Sequence, residues 1–353
     1  MKRRGMALLM TLTILLVLSL ALTKSFEDRA LEQRHLSASL AQFQLENLAR
    51  SVVRGLIQAF RVHGFWEVTR SKQGLALIPA GAVVPLGEAG ISDISITSLD
   101  HLFNLKNRFK PLSVQAKVFD KTLTSIYAAR QTQSFGVNPE EVMSALNDFQ
   151  DPDSDPDEYF PYGAEQYPQA HPAFKVKNAP FDLLSEVKVL PAFALLGLSQ
   201  KELEDHFRVS GPLESRLDVN MAKPEEIAAF LDQWSGLGEP YQNLERLKAP
   251  LLEILSQKDK NGFQPFFDEP FVSRGNSVFE QELEARGLMG QISAAELDLF
   301  SGVTKLALIR FTLHQGPRTK RVRVLVEFSY AIKLPGKRLP KATGAVIHEM
   351  QIY

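Results

Sequence analysis

Four aspartates, Asp151, Asp153, Asp155 and Asp157, stand at every second position of the stretch ALNDFQDPDSDPDEYFPYGAEQY (145–167), with Asp148, Glu158 and Glu165 close by. Like charges this crowded repel unless they are solvated or neutralised. Carboxylate oxygens at i, i+2 and i+4 are also the ligands that a hard ion such as Ca2+ takes in the first part of an EF-hand loop. The EF-hand itself is absent. Counting from Asp151, Pro156 stands where its glycine belongs and Tyr162 where its bidentate glutamate belongs. The spacing leaves two readings open: a solvated acidic loop, or a Ca2+ site drawn from Asp151, Asp153, Asp155, Asp157 and Glu165.

Other chemistry is sparse. The chain has no cysteine, which removes disulfides, thiolate metal sites and cysteine nucleophiles together. No phosphate-binding G-x-x-x-x-G-K-[ST], no H-E-x-x-H and no G-x-S-x-G occurs, and the seven histidines are scattered. No enzyme is expected. The segment 217–247 contains Trp234-Ser235-Gly236-Leu237-Gly238 and reads as a helix–hairpin–helix, a motif that elsewhere holds nucleic-acid phosphates. Its six acidic residues face only Lys223 and Arg246, the wrong sign for a phosphate surface. With 40 Lys and Arg against 41 Asp and Glu over 353 residues, no global field attracts nucleic acid either.

The elements that must position these residues are legible in outline. From Phe26 to Phe60 there is no proline, and Leu36, Leu40, Phe43, Leu48, Val52, Leu56 and Phe60 recur at helical spacing. Short strand-like pieces follow at 64–68, 75–78 and 91–96. A mostly helical stretch then runs from Pro111 to about Ser256, and strands return at 306–313, 321–332 and 345–352. The strict alternation of Val322, Val324, Val326 and Phe328 with Arg321, Arg323, Glu327 and Ser329 marks the clearest strand. Gly316-Pro317 before it predicts a hairpin with 306–313. The expected fold class is α+β: a long N-terminal helix on a small antiparallel sheet, carrying a large all-α insertion of helix–hairpin–helix or SAM-like type.

The N-terminus, MKRRGMALLMTLTILLVLSLALTKSFE, places Lys2-Arg3-Arg4 and Gly5 before an uncharged run from Met6 to Thr23. That run is about the minimum length to span a bilayer as a helix, with a cytoplasmic start. A secretory signal cut after Ala21 and a simple membrane anchor fit the same residues.

RRG|MALLM resembles the processing site of type IV pilin-like proteins, which a prepilin peptidase cuts after the glycine, here between Gly5 and Met6. Most pilins carry glutamate at the fifth mature position, and this chain has Met10. That absence resembles the K-type minor pseudopilins of type II (general) secretion systems. Four further segments resemble that family in order along the chain. They are HLFNLKNRF (101–109), the acidic stretch with Asn147-Asp148-Phe149 and Gly163-Ala164-Glu165, KNAPFDLLSEVKVL (177–190) and LDVNMAKPEEIAAFL (217–231).

The resemblance implies a leader over 1–5, a transmembrane and amphipathic helix over 6–60, a pseudopilin α/β domain split between 61–108 and 269–353, and a helical insertion over 109–268. It implies a single-pass protein of the bacterial inner membrane with most of its mass in the periplasm. It implies Ca2+ in the acidic loop, and a tip cap built with I-type and J-type minor pseudopilins through the stripe Leu36, Leu40, Phe43, Leu48, Val52 and Leu56. Two other readings stay open: a membrane-anchored adaptor outside any pilus-like machine, and a secreted Ca2+-dependent hydrolase.

Overall fold

The computed structural model describes residues 2–63, 68–69, 81–86, 89–130, 138–153, 155, 177–256, 278–316, 318–330 and 342–353; in the first helix, side chains are described at Ser19 and from Thr23 onward. Helix α1 runs unbroken over Lys2–His63, as a stretch without proline allows, and is about 90 Å long at its ordinary rise. Its last third packs on a sheet. Leu45, Ala49, Val53 and Phe60 are buried there, at spacings that put them on one face.

Strands β1 (Val84–Leu86) and β2 (Ala89–Ser98) come before the insertion. The two-residue strands β3 (Phe103–Asn104), β4 (Phe207–Arg208), β5 (Leu217–Asp218) and β6 (Phe300–Ser301) lie within or beside it. Strands β7 (Leu306–Gln315), β8 (Arg318–Tyr330) and β9 (Ala342–Ile352) complete the chain. The main sheet is five-stranded in the order β1-β2-β7-β8-β9, antiparallel throughout. The expected hairpin is β7–β8, in register from Leu306 opposite Glu327 to Gln315 opposite Arg318. The alternating residues Val322, Val324, Val326 and Phe328 are buried toward α1. The Phe328 ring meets Phe60 edge-on at 5.3 Å. Each such large apolar side chain contributes about 1.5–3 kcal/mol on burial.

The insertion is built from helices whose starts are written in the sequence. Helix α2 (Val114–Ala129) is capped by Ser113 and α3 (Pro139–Gln150) by Asn138. The short α4 (Pro191–Leu195) and α6 (Pro224–Trp234) open on proline, which lacks the N–H that a first turn leaves unused. Capping boxes start α5 (Gln200–His206), with Ser199 and Glu202, and α9 (Ala294–Leu297), with Ser293 and Glu296. Helices α7 (Leu244–Ser256) and α8 (Val278–Ala285) lie between α6 and α9.

These helices enclose two cores. The first gathers Phe103, Phe109, Phe119 and Phe207, with ring centroids 5.1 to 5.9 Å apart. The second gathers Leu217, Phe230, Leu251, Phe279 and Phe300. Trp234 and Tyr241 touch both.

Some boundaries differ from the sequence expectation. Helical packing continues past 268, because Phe279, Leu283 and Phe300 belong to the second helical core and the sheet resumes only at Leu306. Val68, the last residue of the expected strand 64–68, is helical rather than extended, and 64–67 lie outside the described residues. The expected strand at 75–78, and residues 331 and 332 at the end of the clearest strand, lie outside the described residues.

Candidate functional site

The acidic loop begins where α3 ends. Asp148 is buried in its last turn, and Asp151 is buried just beyond it. A helix C-terminus carries partial negative charge, so carboxylates gathered there favour a nearby cation. Arg108 supplies one, with Nη2 3.5 Å from Asp151 Oδ2. Asp153 and Asp155 are exposed, and the Asp155 amide donates to Asp153 Oδ1 at 3.1 Å. Asn178, at φ 50°, donates through Nδ2 to the Asp153 carbonyl. Its own Oδ1 is buried and makes no hydrogen bond among the described residues. Asp157 and Glu165 lie outside the described residues, and no group of three metal-ligating side chains is assembled among those that are described. The donors this loop offers are all oxygens, the class that suits a hard ion.

The segment HLFNLKNRF ties the insertion to itself. Asn104 is fully buried. Its Nδ2 donates to the carbonyls of Gly211 (3.3 Å) and Pro212 (3.0 Å), and its Oδ1 accepts from the Lys106 amide at 2.9 Å. Asn147, from α3, accepts from the Phe109 amide and donates to the Phe109 carbonyl, both at 2.9 Å. In this way Asn147 acts as one more strand residue. Arg208, almost wholly buried, donates to the carbonyls of Leu102 (3.0 Å), Ser210 (2.7 Å) and Glu214 (3.0 Å). Gly211 sits against it at φ +77°, where an added Cβ would come within 3.2 Å of Leu306 and 3.3 Å of the guanidinium.

Asp100 fastens this junction to the sheet by accepting from the amides of Leu306 at 2.8 Å and Lys305 at 2.5 Å. Burial pushes its carboxyl up to about 7, against the opposing pull of Arg208 and the two amides. Burial and the neighbouring Arg208 charge hold His101 down at about 4. These groups join the insertion to the sheet. They fix the orientation of the insertion on the sheet, helped by the Glu204–Arg323 ion pair at 3.1 Å.

The hairpin between α6 and α7 turns on Gly236 (φ +66°) and Gly238 (φ +81°). Lys117 donates to the Leu237 carbonyl at 3.3 Å, and Lys121 donates to that of Ser235. The N-terminus of α7, where a nucleic-acid phosphate would sit, already holds an anion. The buried Glu296 accepts from the amides of Asn243 at 2.8 Å and Leu244 at 3.1 Å. The motif is filled from within.

Upstream of Leu45, the described side chains of α1 are exposed except that of Ala41, which is half-buried. Leu36 is 74% exposed and Phe43 61%, and Phe26, Leu31 and Leu40 are exposed with them. Leu48, Val52 and Leu56 behave differently: they are half-buried against the chain's own sheet. The six stripe residues are therefore divided between a free surface and an internal contact. Gly5 and Met6 lie within α1, but the Met6 side chain and nearly all side chains of the apolar run after it fall outside the described set. No helix among the described residues is long and apolar enough to cross a membrane.

No family model and no curated protein matches the chain. Among solved structures it is similar to a chain of the GspK-GspI-GspJ complex of the type 2 secretion system of enterotoxigenic Escherichia coli. The two are 13% identical, the match covers 90% of this chain and 98% of that chain, and the TM-score is 0.48. A likeness this distant leaves the function to the residues themselves.

Sequence reasoning missed Leu45, Ala49 and Val53 as the packed face of α1, along with Asp100, Arg208 and Glu296. Only Glu296 had a local signal, the S-x-x-E box with Ser293, and that box reports its role for α9 rather than for α7.

Proposed function

We propose that this chain is a K-type minor pseudopilin of a type II secretion system. Its role is structural: to cap the tip of the pseudopilus together with I-type and J-type minor pseudopilins, and so to help start assembly. The observation that carries the reading is the division of α1. Its downstream end is used up on the chain's own sheet, while an apolar stripe from Phe26 to Phe43 stays bare. A bare stripe of this kind suits packing against the helices of neighbouring subunits. The order of the family-like segments supports the same reading, as does the mounting of a large helical insertion between β2 and β7.

In this proposal a prepilin peptidase cuts between Gly5 and Met6, and the apolar run from Met6 anchors the chain in the inner membrane with the rest in the periplasm. Ca2+ sits in the acidic loop, where Asp151 and Asp153 with Asn178 would contribute oxygen donors; it would neutralise the carboxylates and order the loop. The inward-turned hairpin favours an architectural use over nucleic-acid binding. The mass of the mature chain tests the processing step. A start at Met6 supports it, whereas a start at Met1 favours a plain membrane adaptor and a start at Leu22 a secreted protein.

A further inference from the structure

We infer that Leu112 is a docking knob that fills an apolar pocket, edged by carboxylates, on another folded protein; this goes beyond the functional reading just given and stands without it. The backbone singles the residue out. Lys110-Pro111-Leu112-Ser113 is a turn closed by the Ser113 amide, which donates to the Lys110 carbonyl at 3.0 Å. With proline second and a positive φ third it follows the type II pattern, whose third position suits glycine or asparagine. Here that position is leucine, at φ 60°. Among the described residues two other non-glycine residues have positive φ, Asp93 and Asn178, and both are types that tolerate it. Leucine is not.

The chain also leaves this side chain in water. Leu112 is 86% exposed, more than any other large apolar side chain described. Both features disfavour the free protein, one through backbone strain and the other through hydration of apolar surface. The local fold requires neither. The turn has to deliver Phe109 to the first helical core and Ser113 to the cap of α2, and glycine at 112 would serve for both. A strained and exposed apolar residue on a closed turn is held ready for a surface outside this chain.

Charge identifies that surface. From Lys106 to Lys121 the chain carries five basic residues against one acid, Asp120, a net +4 in a protein of net charge −1. Two of the five turn inward, since Lys117 and Lys121 donate to carbonyls of the hairpin between α6 and α7. Arg108 holds Asp151 at 3.5 Å with most of its side chain still exposed, and Lys110 is exposed at the start of the turn. The first turn of α2 has no acidic residue to offset its positive end. An acidic rim complements this collar, and an apolar pocket accepts the knob. A lipid surface suits it less. Membrane-binding segments present a broad apolar face, whereas one side chain on a closed turn fits a pocket of its own size. The occupant is a protein.

The experiment places a photoreactive benzoyl-phenylalanine at the exposed Gln115, in the first turn of α2, in the full chain within its native membrane. Capture of one protein species is expected, with the adduct in a segment where Asp or Glu borders apolar residues. Leu112→Gly should cut that capture about tenfold. Its melting temperature should stay at or above that of the wild type, because glycine relieves the left-handed backbone. Lys110→Glu should cut capture severalfold, and high salt should do the same. Capture unaffected by Leu112→Gly overturns the knob. So does a melting temperature that falls in that variant, since the leucine would then be packing within its own chain. Adducts on lipid alone, on a second copy of this chain or on a basic segment overturn the inference as well, and so does the absence of any adduct.

Discussion

Glu296 reaches back to the start of helix α7 and accepts the Asn243 amide at 2.8 Å, more than fifty residues upstream, while also closing the capping box of its own helix with Ser293 at 2.7 Å. One buried carboxylate thus serves two helix N-termini, each of which carries partial positive charge. Truncating it as Glu296→Ala strands the amides of Asn243, Leu244 and Ser293 together. A buried donor left without a partner costs about 1–3 kcal/mol; only the Leu244 amide is fully buried and the other two are partly reached by water, so a total loss of about 2–4 kcal/mol is expected. It should appear as a lowered urea midpoint at constant slope. Glu296→Gln should recover part of the loss, since its one carbonyl oxygen can still accept. Near wild-type stability for the alanine variant would remove Glu296 as the organiser of the hairpin.

The junction between insertion and sheet carries two opposed titrations. Asp100 is raised to about 7 in the folded chain, mainly by burial. Between its unfolded value and about 7 the folded form holds a proton that the unfolded form releases, so this contribution to stability shrinks as pH rises. His101 is lowered to about 4 by burial and by Arg208. From about 4 up to its unfolded value the unfolded form holds the extra proton, so this contribution grows as pH rises. Within the shared window the two oppose each other. Single substitutions separate them. Relative to Asp100→Asn, the wild type should lose stability from about pH 4 to pH 7; relative to His101→Gln, it should gain stability from about pH 4 to pH 6.5. Parallel pH profiles for wild type and both variants would contradict the assignment.

Helix α1 offers a split between fold and assembly. Ala49 is fully buried against the sheet, so Ala49→Leu forces extra volume into a packed site at a cost of about 1–3 kcal/mol. Leu36 and Leu40 are well exposed. Leu36→Ala and Leu40→Ala should therefore shift stability by no more than about 0.5 kcal/mol, yet lower recovery of the complex with neighbouring subunits. Thermal melts and co-purification read the two effects separately. If both classes of variant reduce stability equally, the upstream half of α1 is folded back on the chain and is not a free surface.

The same helix shows what the sequence could and could not carry. Large apolar residues at Leu36, Leu40, Leu48, Val52 and Leu56 define a stripe by size and spacing, but the face that is buried runs through Leu45, Ala49 and Val53. Alanine carries little weight in a hydrophobicity count, although its lack of bulk is what lets a helix approach a sheet closely. The β7–β8 hairpin was legible because strand alternation and a Gly-Pro turn are local signals. Asp100 and Arg208 were not, since their partners are drawn from distant segments such as Lys305–Leu306 and from backbone carbonyls that no side-chain pattern records. Asn104 and Asn147 stood in motifs whose resemblance marked them before their bonds explained them. Of the five carboxylates expected to hold Ca2+, Asp157 and Glu165 lie outside the described residues, so the loop is visible only on the side nearest α3.

That visible side supports a final prediction. Asp148 and Asp151 are buried at the negative end of α3, and Arg108, itself mostly exposed, pairs with Asp151 at 3.5 Å. A divalent cation taken up by the loop binds the folded form in preference to the unfolded one, and so raises the melting midpoint by mass action. The gain is about 2.7 kcal/mol at a hundredfold excess over Kd. Millimolar Ca2+ should therefore stabilise the part of the chain beyond Phe26, a chelator should reverse the effect, and Mg2+ should do less because it sheds its water reluctantly. Asp151→Asn and Asp153→Asn should each weaken the Ca2+ response. Arg108→Ala should strengthen it, since it removes a competing positive charge from the same carboxylate. A midpoint indifferent to Ca2+ in the wild type and in Arg108→Ala alike would leave the solvated acidic loop as the reading.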